Sequence, residues 1–569
     1  MSHNPTTRLI MYALLLIAIL LRFDVFRKID GSGDIWRESD VGAIARNFYQ
    51  EGMNILYPRI DWRRDGPGYV ESEFPAYSWG VAVLYKIFGY HEELPRILSF
   101  FFSALSCIIG LRLALFLLPS TGAIIAMAVF ATNPLAVQLG SAIQAEPLMF
   151  AAYISGIYFF LRWLESGGIG YYLTALAGTA IAALAKIPAL HVGILFAGLC
   201  IDRYGWRAFS RWKLYVFAVG VLVPTLLWYS HARNLWLQYG NSLGMSNEAY
   251  IRITSINFLK GLASTLIGVV RIEVAAVWMI PGCLLGLAGL LRAFRSRNHR
   301  VLLYWLTALG CLYALTGRTT GQSWATYYHI VSTPCAALLM GLSTSWILAA
   351  GSPKPQLKFL EAAVGAAGLA LMVAGLRHGF PLEGYNLYSS GLGGLFIGTA
   401  LAIYLRNRTL ARKQLLSMQE SVNPYKRALI IGTALLFGTV IAMEARRIMW
   451  YRLNRGPHPF LICAKRFQSF VPSGTLIAVN GGSRQAQSGI PRAYDRPYMF
   501  FWMNRKGFAI PDEDQSIKHL LELRRRGAEF FVGEKSNLAA KPGFEEELRR
   551  FFPIVAECGQ AILFSLGDQ

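Results

Sequence analysis

Long apolar segments recur along most of this chain, and no other feature limits its possible folds as strongly. The segments long enough to cross a bilayer, or nearly so, are residues 8–23, 94–118, 121–139, 146–164, 171–187, 188–201, 213–230, 272–292, 301–316, 327–349, 359–376, 389–406 and 427–444. A helix of about 20 predominantly apolar residues matches the hydrocarbon core of a membrane. We therefore predict an all-α polytopic membrane protein with about 13 transmembrane helices.

Composition supports a membrane protein over a soluble one. A chain of 569 residues with 54% hydrophobic and 15% charged residues does not fit a series of soluble domains. The first apolar segment runs into Arg22 without a small-residue cleavage pattern, so we expect a retained helix rather than a signal peptide. The net charge of +22 lies mainly in short stretches between apolar segments, where it orients helices, so we expect no nucleic-acid partner.

Basic linkers predict the orientation in the membrane, because Lys and Arg are retained on the cytoplasmic side. Three linkers are clearly basic: Arg203, Arg207, Arg211 and Lys213; Arg292, Arg295, Arg297 and Arg300; and Arg406, Arg408, Arg412, Lys413, Lys426 and Arg427. The N-terminus is then cytoplasmic, and the outer segments are 24–93, 140–145, 231–271, 317–326 and everything after 445. Arg446 and Arg447 would lie on the outer side, which is a mild contradiction of this arrangement. The preceding linker carries six basic residues, so we give it more weight.

Residues 76–89 test this orientation, because a span there would invert every later loop. The segment mixes Tyr77, Trp79, Tyr85 and Lys86 with aliphatic residues. Such a mixture is typical of an amphipathic helix that lies in the headgroup region. We predict an interfacial helix, with an ordinary second span as the alternative.

The composition becomes polar after about residue 445. Strand-like runs at 475–479, 529–532 and 561–564 and a helix-like stretch at 516–526 predict a small α/β soluble domain. We therefore divide the chain into a membrane domain, 1–445, and an extracytoplasmic domain, 446–569. Cys463 and Cys558 are its two cysteines and could pair in that compartment, whereas the other five lie in apolar segments without metal-ligand spacing.

The first outer loop, 24–93, is unusually long and acidic. Its carboxylates include Asp24, Asp30, Asp34, Glu38, Asp40, Asp61, Asp65, Glu71 and Glu73, and they are mixed with Arg37, Arg46, Arg59, Arg63 and Arg64. A loop of this length needs a function. The mixture suits a sugar and a phosphate at the bilayer surface; a solvated loop with scattered ion pairs is the alternative.

Five short motifs in order resemble polytopic glycosyltransferases of the GT-C class, which includes protein O-mannosyltransferases, lipid A aminoarabinose transferases and the bacterial family 39 and 83 enzymes. They are the first-loop runs 39–48, 73–79 and 95–96; Asn133-Pro134 with residues 145–148; Lys186-Ile187-Pro188; residues 324–329 with Pro334; and residues 505–507. The resemblance implies a helix bundle with juxtamembrane helices in the first loop. It also implies transfer of a sugar from a polyprenyl phosphate to an acceptor outside the cytoplasm.

The resemblance assigns roles by position. Asp40 matches the acidic residue of the first loop, Glu146 that of the second loop, and Lys186 the lysine of the "K-x-P" break. Two departures weigh against metal assistance: Val41 stands where the family often has a second acidic residue, and residue 146 is Glu where Asp is common. We therefore expect no required cofactor, with a divalent metal as the alternative.

The chemistry requires a base and cations. A sugar hydroxyl needs a carboxylate to accept its proton, and Asp40 is our candidate. Direct attack would invert the anomeric centre. The leaving phosphate needs cations, for which Lys186, Arg96 and Arg318 are candidates.

The complete set of predicted site residues has two groups. Those predicted as catalytic are Asp40 and Glu146, and those predicted to bind substrate are Lys186, Arg96, Glu73, Arg46, Tyr328, His329 and Arg318. Without the resemblance, Lys186 would be read as a lysine at a helix end and His329 as part of an aromatic belt.

We therefore predict an inverting glycosyltransferase of the cytoplasmic (inner) membrane, acting at its outer face on a polyprenyl-phosphate-linked sugar. The acceptor class, whether glycolipid, glycan or protein, stays open. The alternatives are a transporter or flippase for lipid-linked sugars, which would place ionisable residues at mid-helix depth, and a non-catalytic scaffold of the same fold.

Overall fold

The computed structural model describes residues 5–27, 34–244, 265–349, 457–485 and 493–567. The predicted spans 359–376, 389–406 and 427–444 lie outside the described residues. The third basic linker, the pair Arg446 and Arg447, and the predicted domain boundary at 445 lie outside them as well.

Every predicted span within the described part contains helix. These helices are α1 (Pro5–Leu21), α4 (Leu94–Leu117), α5 (Ser120–Thr132), α6 (Pro134–Leu139), α7 (Glu146–Ser166), α8 (Ile169–Ala185), α9 (Val192–Tyr204), α10 (Trp212–Tyr239), α11 (Met279–Phe294), α12 (Arg300–Thr320) and α13 (Thr333–Ala349), with α2 (Ile35–Glu51) and α3 (Ala76–Phe88) in the first loop. Among the described residues, five helices are long and apolar enough to cross a membrane, and a sixth span results if the helix pair bent by 96° within residues 265–294 is counted as one. The described part is therefore a multi-pass helical bundle.

Two helix breaks follow from local sequence. The predicted span 121–139 is two helices, because Asn133 leaves the helical conformation, caps α6 through Ala136 N, and is followed by Pro134 at the first helical position. The predicted break at Lys186 is confirmed. Lys186 is extended after α8, and a 3₁₀ turn, Ile187–His191, leads into α9.

Helix α3 is too short to cross the bilayer. Its 13 residues span roughly 20 Å, against about 30 Å for the hydrocarbon core. Tyr77, Val81 and Tyr85 on one face are buried, whereas Ile87 and Phe88 are exposed. The short amphipathic helix predicted for this segment is confirmed.

The C-terminal region is an α/β domain built on a five-stranded mixed sheet. Its strands, β1 (Leu476–Asn480), β2 (Lys506–Ile510), β3 (Ala528–Glu534), β4 (Ile554–Cys558) and β5 (Ala561–Ser565), lie in the order β2-β1-β3-β5-β4. Strand β1 is parallel to β2 and β3, whereas β5 is antiparallel to β3 and β4. The helices are α14 (Pro459–Gln468), α15 (Pro497–Met503), α16 (Ile517–Arg525), α17 (Lys535–Leu538) and α18 (Phe544–Phe551).

The predicted strands and helix of this domain are present, and the two strands that the sequence did not predict are β2 and β4. Both lie at the edges of the sheet. An edge strand has fewer neighbours and carries a weaker apolar pattern, which explains why the sequence signal was missed. A disulfide joins Cys463 of α14 to Cys558 of β4, with their Cα atoms 5.5 Å apart. The other five cysteines are free.

The first loop and the C-terminal domain share one apolar core. A single buried cluster contains residues of α2 and α3 together with residues of α14, α15 and the sheet, among them Phe48, Tyr77, Val81, Phe467, Phe500 and Val532. A separate cluster fills the helical bundle around Tyr153, Phe160 and Trp305. The C-terminal domain therefore packs directly onto the loop in which the sequence places the chemistry.

Candidate functional site

Four charged side chains form a buried cluster where the first loop meets the helical bundle. The Lys186 Nζ atom lies 2.6 Å from Glu73 Oε1 and 2.9 Å from Glu146 Oε1. The guanidinium of Arg37 lies 3.3 Å from Glu73 and 3.5 Å from Glu146. Glu73, Glu146 and Lys186 are each less than a tenth exposed. We call these four residues the ion cluster.

The helical hairpin α7–α8 explains how the cluster forms. Gly167 adopts a left-handed conformation at the end of α7, which turns the chain back into α8. Helices α7 and α8 have 21 and 17 residues, so the start of α7 returns close to the end of α8. Glu146 is the first residue of α7 and Lys186 follows α8 directly. The hairpin thus brings together two residues that are 40 positions apart in the sequence.

The first loop supplies the other two members. Arg37 lies in the first turn of α2, whose N-cap Asp34 accepts a hydrogen bond from Arg37 N. Glu73 lies just before α3, where the Phe74 amide donates to the carbonyl of Leu184 in α8. This backbone contact fixes the loop beside Lys186.

Two tyrosines cover the cations of the cluster. Tyr327 and Tyr328 lie in a 3₁₀ segment, Ser323–Ser332, that precedes α13. The Lys186 Nζ atom is 4.8 Å from the centre of each ring. Arg37 lies 4.4 Å from the Tyr327 ring centre and donates a 3.0 Å hydrogen bond to its hydroxyl. Cations over aromatic faces are stabilised electrostatically, so the tyrosines hold both basic groups in place.

Neighbouring opposite charges shift the pKa values of Glu73 and Arg37 in the direction that favours their charged forms. Burial alone would raise the pKa of Glu73, but Lys186 and Arg37 together lower it below the usual range. Burial would also lower the pKa of Arg37, and the surrounding Tyr327, Glu146 and Glu73 raise it well above its usual value. The cluster therefore presents two fixed cations whose present partners are carboxylates, which a phosphate group could replace.

Asp40 lies in a different environment. The Trp62 indole donates a 2.9 Å hydrogen bond to Asp40 Oδ1. Burial, followed by the charge of Asp495, raises the pKa of Asp40 well above the usual carboxyl range. Asp495 belongs to the C-terminal domain, accepts a 3.2 Å hydrogen bond from Trp36, and has its pKa raised to about 6 by burial. We call Asp40 and Asp495 the carboxyl pair.

Arg96 and Arg46, which the sequence predicted to bind substrate, pair with carboxylates outside the ion cluster. Arg96 makes two hydrogen bonds to Glu38, of 2.8 and 3.0 Å, and a third to the carbonyl of Ser141. Arg46 pairs with Asp61 and also donates to the carbonyl of Phe501. Arg96 thus joins α4 to α2, and Arg46 joins α2 to the C-terminal domain.

Three predicted residues remain, and only Tyr328 contacts the ion cluster; His329 and Arg318 lie outside it. Tyr328 is part of the cover over Lys186, as described. His329 is buried and faces Glu273 and the carbonyl of Thr320. Arg318 is exposed in the last turn of α12, and its carbonyl accepts a hydrogen bond from Gln322.

Three residues at or beside the site were missed from the sequence as site residues: Arg37, Glu273 and Asp495. Arg37 precedes the recognisable motif by two positions, and nothing in the sequence around Asp495 or Glu273 connects them to the first or late loops. Within the described ranges, no group of three or more His, Cys, Asp or Glu residues could hold a metal ion.

One protein-family model matches a part of the chain that contains three of the four residues of the ion cluster. Residues 70–229 match the model of a family described as dolichyl-phosphate-mannose-protein mannosyltransferase. This range includes Glu73, Glu146 and Lys186 of the ion cluster. A search of curated proteins finds no match.

Solved structures with the same fold include ArnT from Cupriavidus metallidurans bound to undecaprenyl phosphate, with a TM-score of 0.54, 13% identity and 100% coverage of both chains. A second is the oligosaccharyltransferase AglB from Archaeoglobus fulgidus in complex with an inhibitory peptide and a dolichol-phosphate, with a TM-score of 0.53, 12% identity, and coverage of 93% of this chain and 69% of that chain. At these identities the likeness concerns the fold. The chain is thus similar in fold to these membrane proteins, and residues 70–229 are also similar to the mannosyltransferase family.

Proposed function

We propose that this GT-C protein transfers a monosaccharide from a polyprenyl-phosphate carrier to a lipid, glycan or protein acceptor. The observation that carries the proposal is the ion cluster, in which Lys186 and Arg37 are held side by side under Tyr327 and Tyr328. The family match and the fold support glycosyl transfer in general. The structure of ArnT contains undecaprenyl phosphate, and that of AglB contains a dolichol-phosphate, which supports a lipid-linked phosphate as the carrier.

Lys186 and Arg37 act at the phosphate in this proposal. The polyprenyl phosphate that leaves carries negative charge, so charge-assisted hydrogen bonds to cations stabilise it as the glycosidic bond breaks. The two basic groups already lie 2.6 to 3.5 Å from carboxylate oxygens, a spacing that phosphate oxygens also adopt. A bound phosphate would exchange with one of the glutamates. The second glutamate would continue to fix the position of the cations.

Asp40 acts as the base. The acceptor hydroxyl attacks the anomeric carbon, the bond from that carbon to the phosphate oxygen breaks with its electron pair on the oxygen, and the hydroxyl proton moves to Asp40. Glu73 is a poorer base, because its cation partners lower its pKa. Asp40 accepts a neutral hydrogen bond from Trp62 and has a raised pKa. A single displacement inverts the anomeric centre.

Arg96 and Arg46 have a supporting role in this scheme. Each is buried and paired with a carboxylate of α2 or of the strand-like segment that follows it. Removing either would leave a buried carboxylate without its cation, which is destabilising. We assign them to the position of α2, which carries both Arg37 and Asp40.

The proposed location is the outer face of the cytoplasmic membrane, with the N-terminus inside. The disulfide between Cys463 and Cys558 supports an oxidising compartment for the C-terminal domain. A cysteine introduced at the exposed Ser473 should react with an impermeant reagent in sealed cells, and one at the exposed Ser210 should not. Asn241 lies in the predicted outer segment 231–271 but is fully buried, so a cysteine at that position is unsuited to this test. Labelling at Ser210 would reverse the orientation.

The direct test is incubation of the purified protein with radiolabelled polyprenyl-phosphate sugars and candidate acceptors. We expect polyprenyl phosphate to be released and label to move to one acceptor class. Asp40→Asn serves as the inactive control. Movement of the intact lipid-linked sugar across a vesicle membrane without release of polyprenyl phosphate would instead establish a flippase.

A further inference from the structure

A second buried polar cluster, centred on Glu273, has no part in the proposed reaction. Glu273 Oε1 accepts hydrogen bonds from Tyr313, His329 and Ser332, each 2.6 Å long. Glu273 Oε2 accepts a 2.8 Å hydrogen bond from Trp278. A carboxylate buried among apolar helices is costly unless its oxygens are hydrogen-bonded, and here both are.

Both ring nitrogens of His329 have a hydrogen-bond partner. Its Nδ1 atom lies 2.6 Å from Glu273 Oε1, and its Nε2 atom lies 2.7 Å from the carbonyl oxygen of Thr320. A carbonyl oxygen only accepts hydrogen bonds, so Nε2 donates to Thr320, and one proton is shared between Nδ1 and the Glu273 carboxyl group. We call His329 and Glu273 the His–Glu pair. The ring also stacks on Tyr313, with centroids 4.9 Å apart.

This pair lies one residue from the aromatic cover of the ion cluster. His329 directly follows Tyr327 and Tyr328 in the 3₁₀ segment, and Ser332 closes the same segment. A 3₁₀ helix has poorer backbone hydrogen bonds than an α-helix, so its position depends more on side-chain contacts. The contacts of His329 and Ser332 with Glu273 hold the C-terminal end of the segment, and Tyr327 and Tyr328, in its middle, contact Lys186.

Glu273 is itself fixed to the centre of the bundle. It begins a π-helical turn, Glu273–Trp278. The Asn133 side chain donates to the carbonyls of Ala276 and Val277, at 3.2 and 3.1 Å. Because Asn133 also caps α6, the break between α5 and α6 supports the turn that presents Glu273.

We propose that Glu273 and His329 are positioning residues, which hold Tyr327 and Tyr328 over Lys186 and thereby strengthen the binding of the carrier phosphate. Neither residue touches the ion cluster directly, so each acts through the tyrosines. The identity of the ligand rests on the proposed function. The His–Glu pair itself, and its effect on the 3₁₀ segment, rest on the hydrogen bonds described above.

The binding test uses the purified full-length protein in nanodiscs with undecaprenyl phosphate as the probe. Glu273→Gln and His329→Asn should each weaken binding by about tenfold, because a small displacement of a binding group is costly. The KM for the donor should rise more than kcat falls, since the reacting groups remain. The double variant should lose less than the product of the single effects, because both substitutions break the same hydrogen bond.

Two further variants separate positioning from general damage. Tyr313→Phe removes one hydrogen bond to the same Glu273 oxygen and keeps the stacked ring, so its effect should be smaller than that of His329→Asn. Thr326→Ala, which removes an exposed hydroxyl bonded to the Ser323 carbonyl within the segment, should bind undecaprenyl phosphate like the wild type. An equal loss in Tyr313→Phe and His329→Asn would overturn the positioning role.

A second measurement does not depend on the ligand. Nitrogen-15 NMR of the protein labelled only at its nine histidines, with His329→Asn for assignment, should show that the Nδ1 signal of His329 shifts in Glu273→Gln, because the partner of that nitrogen changes. An unchanged Nδ1 signal would overturn the hydrogen bond between His329 and Glu273. Normal undecaprenyl phosphate binding by His329→Asn but not by Lys186→Ala would overturn only this inference. Normal binding by Lys186→Ala would overturn the proposed phosphate site instead.

Discussion

The ion cluster and the carboxyl pair each contain a residue of α2, but the partners of their carboxyl groups differ. In the ion cluster, Glu73 and Glu146 each contact Lys186 and Arg37. In the carboxyl pair, Asp40 and Asp495 accept hydrogen bonds from tryptophan side chains, and the charge of Asp495 raises the pKa of Asp40. The first region therefore fixes charges, whereas the second favours uptake of a proton.

In the proposed glycosyl transfer, this difference gives the two regions separate roles. Cations held by carboxylates suit a phosphate that arrives and departs as an anion. A buried carboxyl with a raised pKa suits acceptance of a proton from a sugar hydroxyl. Arg37 and Asp40 are three residues apart on α2, and Arg37 lowers the pKa of Asp40, so the two regions are within electrostatic reach. Substitutions in the two regions should therefore fail in different ways.

The largest effect is expected from Asp40→Asn. The amide keeps the size of the side chain but cannot accept the proton, so turnover should fall by about a hundredfold or more. Binding of undecaprenyl phosphate should persist, since the ion cluster is intact. Asp65→Asn is the matched control, because Asp65 is an exposed acid of the same loop that pairs with Arg526 at the surface. Retention of more than half of the turnover by Asp40→Asn would move the base to Glu146 or Glu73.

Lys186→Ala should have the next largest effect. Loss of a charged hydrogen-bond donor should weaken undecaprenyl phosphate binding by about tenfold to a hundredfold, and turnover should fall with it. Equilibrium binding and single-turnover rates measure the two separately. Lys86→Ala is the control, since Lys86 is exposed in α3. If Lys186→Ala lowered turnover but left binding unchanged, the two regions would share one role and the comparison would fail.

Asp495→Asn should shift the pH profile more than the maximal rate. The negative charge of Asp495 favours the protonated form of Asp40, so its removal should lower the pKa of Asp40. The acidic limb of kcat/KM should then move to lower pH. The part of the acidic limb above pH about 6 should move most, because Asp495 itself is protonated below that value. A limb that moved to higher pH, or did not move, would show that Asp40 is not the titrating base.

The smallest effect on transfer is expected from removal of the disulfide. Replacing Cys463 and Cys558 by Ser should destabilise the C-terminal domain by about 2–4 kcal/mol, which denaturant unfolding would measure. Undecaprenyl phosphate binding should remain at the wild-type level, because the ion cluster lies in the bundle and first loop. A change in the pH limb resembling that of Asp495→Asn would show that the disulfide helps to place the carboxyl pair. Weakened phosphate binding would contradict the separation of the two regions.

Much of the helical architecture could be predicted from local sequence. Apolar segments, linkers and the short helix α3 follow from hydrophobic length and pattern, which are properties of neighbouring residues. A proline follows both helix breaks, at Asn133 and at Lys186, within two positions. The sequence prediction placed a break only at Lys186 and treated residues 121–139 as one span. The edge strands β2 and β4 were missed because an edge strand buries fewer side chains and so needs a less regular pattern.

The sequence by itself determined a chain of long apolar segments with a long and acidic first loop, and it predicted Glu73, Glu146 and Lys186 as site residues. Tertiary structure alone decided that these three residues meet Arg37 in one ion cluster, that Arg96 and Arg46 pair with Glu38 and Asp61, and that Asp495 lies near Asp40 from about 450 positions away. The reason is physical. Hydrophobic length is encoded locally, whereas the partner of a buried charge is chosen by which helices and strands pack together, and burial makes that choice costly to change.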